Sequence, residues 1–318
     1  MKVIIISGPT ASGKTNLAID LAKKFGGEIV NFDSLLLYKE IEVGTAKPNK
    51  EERGSVPHHM IDVRSISSPM NAADYAREAF PLIEKILQKE VPVYLVGGSG
   101  FYLQALLKGM FDSPTTPPEI LQKSEDLYSQ KGIIPFVDIL KQHDLKSFER
   151  YHINDHYRIR RAVEHWWTTG TTMSDARRNK DESNLKLERP SIHDWKILHL
   201  YLDLPKEDHL KIIEKRTIKM IEDGLIDEVR SILNQGFTGQ EKPLQSIGYK
   251  ETLDYLNGLF KSIDELKSQI IISTRQLAKS QRTWFKRDKS KNIYHPLVER
   301  FEIFLQVENF IQKVKDQE

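Results

Sequence analysis

Residues 8–15 read Gly-Pro-Thr-Ala-Ser-Gly-Lys-Thr, which fills every position of the pattern GxxxxGK[ST]. The apolar run Lys2-Val3-Ile4-Ile5-Ile6-Ser7 precedes it, and an alanine- and leucine-rich stretch with helical spacing over about 14–25 follows. Strand, loop and helix in that order are the context in which this pattern forms a phosphate-binding loop. The glycines let backbone N–H groups turn onto phosphate oxygens. The helix adds the positive end of its dipole, Lys14 a point charge, and the Thr15 hydroxyl a ligand for Mg²⁺. Gly8, Thr10, Ala11, Ser12, Gly13, Lys14 and Thr15 are therefore expected to bind a di- or triphosphate, with Thr15 at the metal.

Working outward, Glu28-Ile29-Val30-Asn31-Phe32 reads as a second strand ending at Asp33. Residues 73–88 carry helical apolar spacing, and Val91 to Val96 is a third buried strand running into Gly97-Gly98-Ser99-Gly100. A further strand spans Trp195 to Leu204, with amphipathic helices at about 206–235, 262–287 and 297–315. Strands alternating with helices imply an α/β fold: a parallel P-loop NTPase-like sheet with right-handed crossovers and flanking helices. Ligands of such sheets sit at the carboxyl ends of the strands, so the phosphate loop, Asp33 and Gly97–Gly100 are expected around one crevice. After Thr115-Thr116-Pro117-Pro118 the chain turns polar and helical. The expected division is a catalytic core of 1–110 with 190–318, and a helical insert of 111–189.

With 318 residues, 39% of them apolar, the chain has room for both parts. No apolar stretch approaches the roughly 20 residues of a membrane helix, and Met1 leads straight into a strand, so a cytoplasmic location is expected. The absence of cysteine excludes disulfides and thiolate zinc sites. A net charge of only +2 means that any basic surface comes from local clustering. Such clusters exist. At about 100° per residue, Arg275, Lys279, Arg282 and Lys286 fall within roughly 60° of one another, with Leu277 and Trp284 opposite. In the insert, Asn154 or Asp155 can cap a helix ending at Gly170, along which Arg158, Arg161 and His165 share a stripe. Internal pairing with Glu149, Asp155 or Glu164 is the competing use of those arginines. Adjacent His58-His59 point to different sides with no third ligand near in sequence, and read as structural or substrate-lining; Trp166-Trp167 reads as packing.

A small-molecule kinase usually carries an acid at the end of an apolar strand to position Mg²⁺, whereas strand 91–96 runs into Gly-Gly-Ser. Asp33 follows a strand, but within the distinctive Asp33-Ser34-Leu35-Leu36-Leu37-Tyr38. Seven motifs stand in order along the chain: Gly8–Thr15, Asp33-Ser34, Gly44-Thr45-Ala46-Lys47-Pro48, Pro57-His58-His59-Met60-Ile61-Asp62, Gly97-Gly98-Ser99-Gly100-Phe101-Tyr102, Gln245-Ser246-Ile247-Gly248-Tyr249-Lys250-Glu251 and Thr274 through Arg287. Together they resemble the tRNA dimethylallyltransferase (tRNA isopentenyltransferase) family.

The resemblance implies a monomer that uses Mg²⁺ and moves a dimethylallyl group from its diphosphate to N6 of the adenine 3′ of a tRNA anticodon. It implies Asp33 as general base, with Thr10, Ser99 and Arg216 contacting substrate or diphosphate. It implies tRNA contacts from Asp33, Ser34, Leu35, Leu36, Tyr157, Arg158, Ile159, Arg160, Arg161, Gln245, Gly248, Tyr249, Lys250, Arg275, Lys279, Gln281, Arg282 and Lys286. The residue types suit that chemistry. A departing diphosphate needs its developing charge held, a poorly nucleophilic amine needs a carboxylate to take its proton, and the base must leave the stacked loop.

Ser99 stands where the family usually has threonine, Ser280 and Lys286 where arginine is common, Ile212 for another arginine, and Leu121 for a basic residue. Fewer phosphate contacts lower affinity more than they change base choice, so weaker tRNA binding than in a fully basic relative is expected. The alternatives are an adenylate isopentenyltransferase acting on free AMP or ATP, and a non-catalytic RNA-binding paralogue.

Overall fold

In a computed structural model of the chain, which describes residues 1–109, 114, 116–183 and 192–315, Lys2–Ser7 forms strand β1. Val3, Ile4, Ile5 and Ile6 are all essentially inaccessible. A strand apolar at consecutive positions must be covered on both faces, which is the situation of a parallel sheet between helical layers. The core continues through α1 (Lys14–Phe25), β2 (Glu28–Asn31), α2 (Lys50–Arg53), β3 (His58–His59), α3 (Ala72–Leu87), β4 (Val93–Val96) and α4 (Gly100–Lys108). A second compact unit, Gly109–Ile192, holds α5 (Pro118–Lys131), α6 (Ile134–His143), α7 (Leu145–Arg150), α8 (His156–Thr169) and α9 (Met173–Ser183). The first unit resumes at His193 with β5 (Lys196–Leu202), α10 (Lys206–Glu222), α11 (Leu225–Asn234), α12 (Tyr249–Leu256), α13 (Ile263–Phe285), β6 (Asn292–Tyr294) and α14 (Arg300–Lys315).

The strands join in the order β3-β2-β4-β1-β5-β6, and every pairing is parallel. β1 lies between β4 and β5, with Ile6 opposite both Val96 and Leu200. All carboxyl ends therefore share one edge, where the loop after β1 meets the segments after β2 and β4. The two outermost strands, β3 and β6, have only two and three residues, too short for an alternation to show in sequence. His59 bonds Glu28 at 2.6 Å and His58 the Val56 carbonyl at 2.8 Å, so the pair is structural. The apolar run of 206–235 is two helices, because Gly224 adopts φ +97° and starts α11. Among the described residues no helix is long and apolar enough to cross a membrane.

Two expected RNA contacts are framework residues. Tyr249 is completely buried; its hydroxyl accepts from the Gly44 N–H at 3.0 Å and donates to Glu228 at 2.8 Å. A Cβ on Gly44 would lie 2.5 Å from the Tyr249 ring, so glycine is needed there for close approach. Gly248, at φ +94°, caps α12 and donates its N–H to Glu251 at 2.7 Å. Within the second unit, Ile133, Phe136, Val137, Leu140, Ile159, Ala162, Val163 and Met173 form the core. Ile159 is thus a core side chain and not an RNA-facing one. Asp155 accepts the Arg158 N–H at the start of α8, and Gly170 ends that helix at φ +71°. Trp166 stacks on His143 with ring centres 4.0 Å apart.

Tyr249→Phe removes the hydroxyl that bridges Glu228 and the Gly44 N–H, which keep a bond to each other at 3.2 Å. We expect a loss of about 0.5–1.5 kcal/mol in urea unfolding, with binding of an anticodon stem-loop by the folded protein unchanged; a selective loss of that binding would return Tyr249 to the binding surface.

Candidate active site

The loop after β1 is built around inward-facing N–H groups. Gly8 is at φ +150°, Ala11 at +61° and Gly13 at +80°, and a Cβ on Gly8 would overlap the Leu202 carbonyl. The N–H groups of Ala11, Ser12 and Gly13 have no acceptor among the described residues, and no side chain caps α1. Ser12 is buried and its hydroxyl is unpartnered. Lys14 donates to the Pro9 carbonyl at 2.7 Å. Burial pulls its pKa down to about 8, with Asp33 opposing the shift and Arg216 adding to it. These are the elements of an anion cradle.

Thr10 is held from three directions. Its N–H donates to Gln281 at 2.7 Å, its carbonyl accepts from His209 at 2.8 Å, and its hydroxyl accepts from Arg216 at 3.5 Å. Arg216 also donates to the Thr45 carbonyl at 2.9 Å. Burial lowers the Arg216 pKa, with the Asp33 carboxylate pushing the other way. Asn31 fixes the backbone of Asp33, accepting its N–H at 2.9 Å and donating to its carbonyl at 3.0 Å. One carboxylate oxygen of Asp33 caps the Leu35 N–H at 3.1 Å; the other takes no hydrogen bond among the described residues. Ser99 accepts the Ser34 N–H at 3.1 Å and bonds the Ser34 hydroxyl at 3.2 Å, tying the end of β4 to the segment after β2.

Beside this cradle opens a cavity of about 610 Å³, lined by Ser34, Leu35, Gly98, Ser99, Phe101 and Trp284 among others. Phe101 is half exposed and meets Trp284 edge-on with ring centres 6.2 Å apart. Gln245, Ser280 and Gln281 also line it, while Leu36 is half-buried nearby in sequence.

The α13 stripe divides. Arg275, Lys279 and Lys286 are exposed and make no side-chain bond among the described residues. Arg282 instead faces inward, donating to Asp203 at 2.8 Å, the Leu204 carbonyl at 3.2 Å and His209 at 2.9 Å. It lies only about 40–60° around the helix from the buried Ala278 and Phe285, at the margin of the packed face. Leu277, expected on the apolar side, is 38% exposed, while Trp284 does pack inward against Gly100. Lys250 is exposed and paired with Asp254 at 2.7 Å. In the second unit Tyr157 is 75% exposed and Arg158 pairs with Asp155 at 2.7 Å. Arg160 is drawn to Glu125 at 2.8 Å and lies over the Tyr128 ring, and Arg161 bonds Thr116. Glu164 pairs with Arg161 at 3.7 Å, and His165 is buried, so neither extends an open stripe.

Sequence spacing gave no hint of Asn31, Asp203 or His209. A third unforeseen cluster joins Ser7 to His199 at 2.6 Å and His199 to Asp288 at 2.7 Å. Its serine is wholly buried, so the Ser–His–Asp order serves to fasten β1 and β5 to the turn after α13.

The family model described as IPP transferase matches residues 36–288. The tRNA dimethylallyltransferase 1 of Citrifermentans bemidjiense is 38% identical over 297 residues, covering 92% of this chain and 91% of that protein. The chain belongs to the IPP transferase family. The tRNA dimethylallyltransferase 2 of Geotalea uraniireducens is 39% identical, with 91% and 90% covered. The full-length tRNA isopentenylpyrophosphate transferase of Bacillus halodurans superposes with a TM-score of 0.70 at 28% identity, over 99% of this chain and 98% of that one. A eukaryotic dimethylallyltransferase acting on tRNA gives a TM-score of 0.72 at 27% identity, over 93% and 74%.

IPP transferases handle a diphosphate, and the donor set here suits a hard cation beside one. Among the described residues there is no cluster of three or more acidic, His or Cys ligands, but the Thr15 hydroxyl makes no hydrogen bond there. One protein oxygen with the remainder from phosphate and water is the ligation Mg²⁺ favours. The Lys14 cation is fully present well below about pH 8 and is lost as pH rises through it, so the Kd for inorganic pyrophosphate should rise between about pH 7 and 9.5. Lys14→Arg, charged throughout that range, should flatten the profile in calorimetry; an equal slope in both proteins would remove Lys14 as its source.

Proposed function

We propose that the chain transfers the dimethylallyl group of dimethylallyl diphosphate to N6 of the adenine immediately 3′ of the anticodon in tRNA, acting as a cytoplasmic monomer with Mg²⁺. The observation that carries this reading is Asp33. It is a carboxylate with one oxygen uncommitted, its backbone fixed by Asn31, placed against the cations of a phosphate loop and next to a cavity with an aromatic wall.

In the reaction the C1–O bond to the diphosphate breaks and its electron pair leaves with the diphosphate. The adenine N6 lone pair forms the new bond to C1, and the N6 proton passes to Asp33. The loop N–H groups, Lys14 and Arg216 hold the diphosphate and receive the charge that develops on it, which is worth most where water is excluded. Mg²⁺ at Thr15 would neutralise part of that charge. Asp33 serves best as an acceptor because its free oxygen needs no rearrangement before it takes the proton. The cavity walled by Phe101 and Trp284 offers the extruded base and the apolar prenyl tail an aromatic surface to pack on.

RNA binding is supported separately in each unit: Arg275, Lys279 and Lys286 on α13, and Tyr157 and Arg158 at the start of α8. The three exposed α13 cations favour tRNA over free AMP or ATP, which would engage none of them. Gln245, Ser34, Leu35 and Leu36 complete the acceptor side, whereas Lys250, Arg158, Arg160 and Arg161 would have to exchange internal partners before touching phosphate.

The decisive assay combines the protein, Mg²⁺, dimethylallyl diphosphate and an anticodon stem-loop, read by mass spectrometry. One dimethylallyl group on the adenine 3′ of the anticodon is expected; transfer to AMP alone would make the chain a free-nucleotide enzyme, and RNA binding without transfer a non-catalytic paralogue. Asp33→Ala should lower kcat by about 10²–10⁴-fold with tRNA affinity retained. Replacing Arg275, Lys279 and Lys286 together by Ala should weaken tRNA binding. It should also flatten the salt dependence, by roughly 0.7–0.9 of a log unit for each phosphate the variant fails to neutralise. An unchanged salt slope would place the RNA elsewhere.

A further inference from the structure

The peptide between Thr10 and Ala11 is held in an orientation that it would not adopt unaided. Its carbonyl accepts a hydrogen bond from His209 at 2.8 Å. Carbonyl and N–H point in opposite directions across a trans peptide, so the Ala11 N–H is turned to the other side, into the loop with those of Ser12 and Gly13. Ala11 is at φ +61°, a region sparsely populated by residues with a Cβ, and one that persists only where the surroundings enforce it. Rotating this one peptide by half a turn would take Ala11 out of the left-handed region and point a carbonyl oxygen, not an N–H, at an incoming anion.

The enforcing group is itself constrained. His209 is 2% exposed, and Arg282 donates to its Nδ1 at 2.9 Å. Arginine has donors only and stays charged, so Nδ1 must be the acceptor and the ring neutral with its proton on Nε2. That is the tautomer able to donate to Thr10. Arg282 is fixed in turn by the Asp203 carboxylate and the Leu204 carbonyl. Among the described residues nothing else bonds the Thr10 carbonyl; Gln281 and Arg216 hold the same residue by its N–H and hydroxyl, which leaves the following peptide free to turn.

We infer that His209 is a positioning residue of the phosphate loop: oriented by Arg282, its Nε2–H keeps the Thr10–Ala11 peptide turned so that the Ala11 N–H faces the diphosphate. The inference rests on the reading that this loop binds the diphosphate of the prenyl donor. It places an arginine of the cationic α13 segment in service of the donor and not of the RNA.

The test compares His209→Leu with His209→Gln in the full chain. Glutamine keeps a donor and an acceptor at nearly the spacing of the two ring nitrogens, whereas leucine keeps neither. His209→Leu should raise both the Kd for inorganic pyrophosphate, by calorimetry with Mg²⁺, and the KM for dimethylallyl diphosphate about tenfold, equivalent to about 1.4 kcal/mol. The KM for the RNA should stay within about twofold, and His209→Gln should recover most of the loss. Equal effects of the two substitutions, or equal rises in both KM values together with a lower melting temperature, would reduce His209 to a structural residue and overturn the inference. An unchanged pyrophosphate Kd in His209→Leu would overturn it as well. Should the parent chain transfer nothing to RNA, the reading of the reaction fails, while the pyrophosphate titrations still decide the part played by His209.

Discussion

A backbone that binds anions must point several N–H groups the same way, and a chain of L-residues resists doing so. Here the resistance is met at Ala11 and overcome from outside the loop. Thr10 is bonded through N–H, carbonyl and hydroxyl to Gln281, His209 and Arg216, side chains on α13 and α10 nearly 200 or more positions away. Ser7, one residue before the loop, is fastened through His199 to Asp288. The strained loop is therefore a product of the whole first unit. Its conformation survives only while α10 and α13 stay packed on the sheet edge, which is the general condition under which local strain persists at a functional site.

That dependence explains which parts of the site were legible in the sequence. The phosphate loop could be read directly because its requirements are local: glycines where φ is positive, a lysine and a hydroxyl at fixed offsets. β1 and β4 showed as apolar runs because buried parallel strands are apolar over most of their length, and β2 through its Ile29-Val30 centre. The convergence of Asp33 and Ser99 on the loop followed from parallel topology alone. The supporting residues followed from nothing local. Asn31 lies within a strand and His209 within a helix, each indistinguishable in sequence from an ordinary polar position. Tyr249 illustrates the opposite failure. A motif residue can be distinctive because the backbone geometry around it is demanding, as at the Gly44–Tyr249 contact, without its side chain lining the cavity, which Gln245 of the same motif does.

Charge is distributed on the same principle. Spacing placed Arg275, Lys279, Arg282 and Lys286 together, but spacing on a helix specifies an angle and not which angles the neighbours cover. The margin of the packed face runs through Arg282, so it became an internal ligand of Asp203 and His209 while the other three remained in solvent. Within the second unit the same competition goes further, since Arg158, Arg160 and Arg161 all have internal oxygen partners. Each such pair is worth little on the surface, which makes it cheap to exchange for a phosphate. It also subtracts from what the phosphate contact returns. Ser280 on the cavity wall and the exposed Leu121 add no cation of their own. The cationic charge left without an internal partner is thus smaller than the arginine and lysine count of these helices suggests, in keeping with a net charge of only +2.

The two cations at the loop behave differently from those on the surface. Lys14 and Arg216 are both depressed by desolvation, and both are supported by the single carboxylate of Asp33. One negative charge cannot balance two partly buried positive ones, so the empty site is short of anion. Burial that would be a liability without ligand is what makes each cation strong toward it, because the desolvation has already been incurred in folding. A diphosphate in the loop would supply the missing negative charge, and in the proposed reaction that would release Asp33 from balancing the cations and leave its uncommitted oxygen to the acceptor amine. On the proposed reaction the same residue would balance the empty loop and take the proton in the filled one, a combination that suits an Asp33 positioned through its backbone, by Asn31, with one carboxylate oxygen left uncommitted.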